Sequence, residues 1–70
     1  MKKYYLMSID KGNDDAMSNL ALYYQTVEIN YEQMKKYYLM SINKGNVIAM
    51  SNLGLYYQTV KNYEQMKNII

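Results

Sequence analysis

Asp10, Asp14 and Asp15 place three carboxylates within six residues, the densest set of side chains in this sequence that could do chemistry. Acids this close could share a proton or hold a hard cation through their oxygens. Their setting points elsewhere. Asp14 and Asp15 follow Gly12-Asn13, where a helix would begin, and negative charge there complements the positive end of a helix dipole. At an offset of 33 residues the same two positions are Val47 and Ile48, so the acids are not part of a shared pattern. The chain has no His and no Cys. Ser–His and Cys–His nucleophile pairs, imidazole or thiolate metal sites and disulfides are therefore excluded. Lys11-Gly12-Asn13 and Lys44-Gly45-Asn46 lack the rest of a phosphate-binding loop and read as a helix stop followed by a cap. The expectation is no catalytic, cofactor-binding or metal-ligating residue, and no enzyme.

The tyrosines are the remaining chemistry. Ten are present, eight of them in the pairs Tyr4–Tyr5, Tyr23–Tyr24, Tyr37–Tyr38 and Tyr56–Tyr57. Successive rings can stack on the bases of a single strand, but such a surface also needs a basic groove. Eight Lys and no Arg stand against six acids, for a net charge of +2. That is too weak and too scattered to imply nucleic acid or an anionic membrane. Single-stranded RNA binding is the lesser alternative. At helical spacing, one ring of each pair is expected in the core and the other at its boundary.

What positions these side chains is a repeat. Residues 1–27 and 34–60 align without a gap, and only four of the 27 positions differ: Asp10/Asn43, Asp14/Val47, Asp15/Ile48 and Ala21/Gly54. Asn30-Tyr31-Glu32-Gln33-Met34-Lys35 then recurs as Asn62-Tyr63-Glu64-Gln65-Met66-Lys67. Self-similarity at this period marks stacked supersecondary units. Each unit reads as two helices. Ala16, Leu20, Tyr23 and Tyr24 form the apolar stripe of a helix A capped by Asn13. Tyr31, Met34, Tyr38 and Ile42 form that of a helix B opened by Asn30, with Gln33 placed for a capping box, and closed by Lys44-Gly45. The second copy repeats this from Asn46. The predicted order is partial B, A, B, A, partial B, with A-to-B turns at Thr26-Val27-Glu28-Ile29 and Thr59-Val60-Lys61. The second turn rests on the returning Asn signal at Asn62, because neither stretch holds Gly or Pro, and one continuous helix through 47–70 is the alternative.

Ala49-Met50-Ser51-Asn52-Leu53-Gly54-Leu55-Tyr56-Tyr57 resembles helix A of the Sel-1-like repeat, a relative of the tetratricopeptide repeat. Asn30-Tyr31-Glu32-Gln33-Met34, through Tyr37-Tyr38 to Lys44-Gly45-Asn46 and Ala49, resembles its helix B and the junction to the next unit. The likeness covers nearly the whole chain. It departs from the family at the bulky Met34 and Ile42, at Ala21, and in the shorter inter-helix loop. The Lys, Asn, Tyr, Ile and Met bias also resembles repeat proteins of AT-rich genomes, those of giant DNA viruses among them. The resemblance implies an all-α fold, an α-α solenoid of about two tetratricopeptide-like hairpins, and an adaptor role binding a protein or peptide. Asn19 and Asn52 sit mid-helix A, where Asn costs helix propensity. In the tetratricopeptide fold the equivalent Asn lies on the concave groove, so Asn19 and Asn52, bordered by Tyr23 and Tyr56, are the candidate partner-binding residues. The competing reading is that each amide bridges neighbouring helices.

As a single unit over 1–70, the chain divides into 1–12 (partial helix B), 14–45 (repeat 1) and 47–70 (repeat 2, truncated). Both ends cut through a repeat, and solenoids generally need at least three units with polar caps. Marginal stability is expected. A fragment of a longer repeat protein with no partner of its own is the alternative function, and head-to-tail stacking of chains is a further expectation about partners. No apolar run suits a signal peptide or a membrane span, and the expected location is the cytoplasm.

Overall fold

The computed structural model describes residues 2–69, with side chains through Lys67. It is all-helical: α1 (Lys2–Asp10), α2 (Asp14–Thr26), α3 (Tyr31–Asn43) and α4 (Val47–Ile69). By the repeat, α1 and α3 are B helices and α2 and α4 are A helices.

The junctions follow the local chemistry of the sequence. Gly12 and Gly45 take φ of 85° and 88°, the left-handed region a side chain would strain. Their N–H groups donate to Ile9 and Ile42 carbonyls, each at 2.8 Å, ending α1 and α3. Asn13 and Asn46 then cap the next helix, accepting from the Ala16 and Ala49 N–H groups at 3.1 and 2.9 Å. Asn30 caps α3 by accepting from Gln33 N–H at 3.2 Å. The reciprocal half of the expected capping box is absent. The Asn30 N–H instead donates to the Tyr24 carbonyl at 2.8 Å, and the buried Gln33 Oε1 has no partner among the described residues.

Packing is centred on the antiparallel α2–α3 pair. Ala21, Met34, Tyr38, Ala49 and Leu53 form one buried cluster. Ser41 Oγ donates to the Asp14 carbonyl at 2.8 Å, tying the end of α3 to the start of α2. The Tyr38 hydroxyl donates to Gln25 Oε1 at 2.8 Å, and the Tyr24 and Tyr37 rings stack 6.0 Å apart. The one-core, one-boundary pattern appears in α3, where Tyr38 is buried and Tyr37 half-buried, but not in α1, where Tyr4 is exposed and Tyr5 half-buried, nor in α4, where Tyr56 is half-buried and Tyr57 exposed. It fails in α2, where Tyr23 and Tyr24 are both half-buried.

The largest departure from the sequence reading is α4. No turn forms at Thr59-Val60-Lys61, and Asn62 caps nothing; α4 is one helix of 23 residues, about 34 Å long at the standard rise. The first copy breaks after Thr26 because other parts of the chain hold it there. Glu28 pairs with Lys2 at 3.0 Å and accepts from the Tyr23 hydroxyl at 3.4 Å. The second copy is one residue shorter, with Lys61 in place of Glu28-Ile29, so no carboxylate stands at that point. Asn62 instead accepts from Gln58 Nε2 at 3.2 Å, one helical turn back.

Candidate functional site

The same surface occurs twice along the A helices. In α2, Leu22, Tyr23, Thr26 and Val27 wall a cleft of about 150 Å³ against Tyr5 of α1, with Asn19 at its side. In α4 the equivalent Leu55, Tyr56, Thr59 and Val60 wall a groove of about 560 Å³. The size differs because of the helix break. In the first copy Lys2 lies over the neighbouring rings, its Nζ 5.8 and 5.6 Å from the Tyr23 and Tyr24 centres while it pairs with Glu28. That hydrogen bond, aided by the charge of Glu28, raises the Lys2 pKa above its ordinary value. In the second copy α4 runs on past α3 and adds Tyr63, Glu64 and Lys67 to the wall. Tyr31 of α3 packs against Tyr56 with ring centres 5.4 Å apart, and Gln25 and Thr26 of α2 complete the far side.

The groove is therefore an aromatic and aliphatic floor of Tyr31, Leu55, Tyr56, Val60 and Tyr63. Its amide and hydroxyl groups come from Gln25, Thr26 and Thr59, and Glu64 and Lys67 stand at one end. Thr59 Oγ1 already donates to the Leu55 carbonyl at 2.8 Å, as Thr26 Oγ1 does to Leu22. Apolar walls with a few polar groups are the usual make-up of binding clefts.

The four expected residues divide between these places. Asn19 and Tyr23 share the small cleft, and Tyr56 lies in the large groove. Asn52 does not line it. It is half-buried on α4. Burial raises the Tyr38 pKa. Leu55, Val60 and Tyr63 were hidden from sequence reasoning by the expected turn. The steps of four and three from Tyr56 to Val60 and Tyr63 along an unbroken run were the signal that could have found the last two.

Asp14 and Asp15 have a partner the sequence did not suggest. Asn46 Nδ2 donates to Asp14 Oδ2 at 2.8 Å and to Asp15 Oδ1 at 3.1 Å, so the acids tie the start of α2 to the α3–α4 junction. Among the described residues no three His, Cys, Asp or Glu side chains group as metal ligands. Among the same residues no helix is long and apolar enough to cross a membrane.

Compared with known proteins, this all-helical chain matches no family model, no curated protein and no solved structure. The resemblance to Sel-1-like repeats rests on the residues that carry it.

Proposed function

We propose that the chain is a short α-α solenoid segment that binds another protein, taking an extended or helical peptide in the groove between α3 and the distal half of α4. The observation that carries this reading is the groove itself, with its aromatic floor and a row of amide and hydroxyl groups beside it. Tyrosine-rich surfaces supply large contact area at low conformational-entropy cost and are enriched where proteins meet. The recurrence of contacts one repeat apart supports the solenoid. Asn13 and Asn46 cap alike, and Lys2 and Lys35 each lie over a ring of the adjoining A helix, Lys35 Nζ being 6.0 Å from the Tyr57 centre.

The occupant would be a segment with aromatic or branched anchors, whose main chain or amide groups meet Gln25 and Thr26. Asn19 and Tyr23 would serve a lesser role, since the first cleft is only about 150 Å³.

The test is panning a random-peptide display library on the folded chain, with counter-selection on Tyr56→Ala and Tyr63→Ala. A recovered consensus that binds the wild type and loses at least about tenfold on either variant supports the reading. Binders indifferent to both substitutions, or no enrichment at all, would sink it.

A further inference from the structure

The helix faces left open at the two ends of the fold are copies of two faces that meet inside it. α2 meets α3 through Ala21, Tyr24 and Gln25, and Met17, one helical turn before Ala21 on the same face, is only 4 % exposed. The same positions of α4 are Met50, Gly54, Tyr57 and Gln58; Lys35 lies over Tyr57 as Lys2 lies over Tyr24, yet Met50 is 48 % exposed and Tyr57 51 %. α3 meets α2 through Tyr37, Tyr38 and Ser41. Their counterparts on α1 are Tyr4, Tyr5 and Ser8, of which Tyr4 is 70 % exposed and the others half-buried. The counterpart of Met34 is Met1, which lies outside the described residues.

We propose that the chain assembles head to tail with further copies of itself, the outer face of α4 receiving α1 of the next copy as α2 receives α3. The internal interface dictates the contacts. Tyr4 of the incoming copy stacks on Tyr57, its Tyr5 hydroxyl reaches Gln58, and its Ser8 hydroxyl reaches the Val47 carbonyl. The junction contacts carry over as well. Lys44 Nζ sits 3.3 Å from where a Gly12 Cβ would stand, whereas the equivalent space at Gly45 is empty within 4 Å. Lys11 of the next copy fills it. Two positions weaken the new interface relative to its template. Asn13 of the incoming copy meets Val47 and Ile48 where Asn46 meets Asp14 and Asp15, and Gly54 leaves out the methyl of Ala21. The two joined faces differ, so the contact is heterologous, and each added copy presents a fresh α4 face.

Sedimentation velocity on the full chain tests this, with circular dichroism confirming that each variant stays helical. The wild type should show a mass that climbs with concentration without settling at dimer. Met50→Lys closes the α4 face and Tyr4→Lys the α1 face. Each alone should be monomeric, and an equimolar mixture should form dimers and nothing larger. If Met50→Lys loses helix, Tyr57→Lys takes its place. Val47→Asp with Ile48→Asp restores the acceptors for Asn13 and should tighten association about tenfold, the effect of regaining charge-assisted bonds at a partly wet interface. A wild type that stays monomeric at the highest concentration overturns the proposal. Variants that dimerise alone, a mixture that remains monomeric, or acid substitutions that leave association unchanged also overturn it.

Discussion

Met34 and Met66 occupy the same place in the identical hexapeptide Asn-Tyr-Glu-Gln-Met-Lys, yet one is fully buried and the other 61 % exposed. Replacing each by Ala therefore separates sequence from tertiary setting. Met34 lies in the cluster with Ala21, Tyr38, Ala49 and Leu53, so Met34→Ala opens a cavity where all three longer helices meet. Such truncations cost about 2–5 kcal/mol. For a domain of this size each kcal/mol moves the melting temperature by about 4–8 °C, so a fall of at least about 10 °C is expected. That cost is comparable to the whole stability of a small single-core fold, about 5 kcal/mol or less. Urea titrations followed by circular dichroism should therefore be run with a stabilising osmolyte, which keeps both baselines measurable. Met66→Ala should stay within about 0.5 kcal/mol of the wild type, because it removes an exposed side chain and inserts the best helix former. Equal losses for the two variants would refute the reasoning, since Met66 would then be buried by a hairpin like its twin. No loss at Met34 would refute the α2–α3 core.

Asn46→Ala removes a cap and two bonds to carboxylates, while Asn13→Ala removes only the exposed cap. Denaturant midpoints should show costs of about 2–3 kcal/mol and about 1 kcal/mol respectively. Tyr38 holds its proton above the ordinary 10.0 because it is buried. In the unfolded chain that phenol ionises first, so its contribution is intact below pH 10 and is lost as pH rises through the folded value. Tyr38→Phe should flatten this alkaline loss in melts across that range, and at neutral pH should cost about 1 kcal/mol for the bond to Gln25. Gly54→Ala meets no atom within 4 Å and sits in a helix interior, so thermal melts should show a gain of about 0.5–1 kcal/mol. A loss there would mean that something already covers the position.

Some of this protein was written in local chemistry. The Lys-Gly-Asn triplets set both B-to-A junctions, because a left-handed Gly and an Asn cap act on residues a few positions away. Helical periodicity placed Leu20, Met34, Tyr38 and Leu53 in the core, and the repeat revealed which helices are counterparts. The candidate groove was only partly legible. Tyr56 was visible as a boundary ring, but Tyr63 and Val60 enter the groove only because α4 does not break.

The fate of the two Thr-Val stretches shows where sequence stopped and tertiary structure decided. Both have similar intrinsic propensity, since β-branched residues lower helix stability by only tenths of a kcal/mol. What separates them is distant in the chain. Lys2 holds Glu28, the Tyr24 carbonyl takes the Asn30 N–H, and α3 lies against α2, so the first stretch breaks. Among the described residues no such partner meets Lys61, and the second continues as helix. Asp14 and Asp15 looked like dipole partners alone until Asn46, more than 30 residues away, donated to both. Caps and periodicity act within a turn or two of the chain and so are visible in it. Contacts between segments far apart depend on which faces pack, and that is settled only once the whole chain folds.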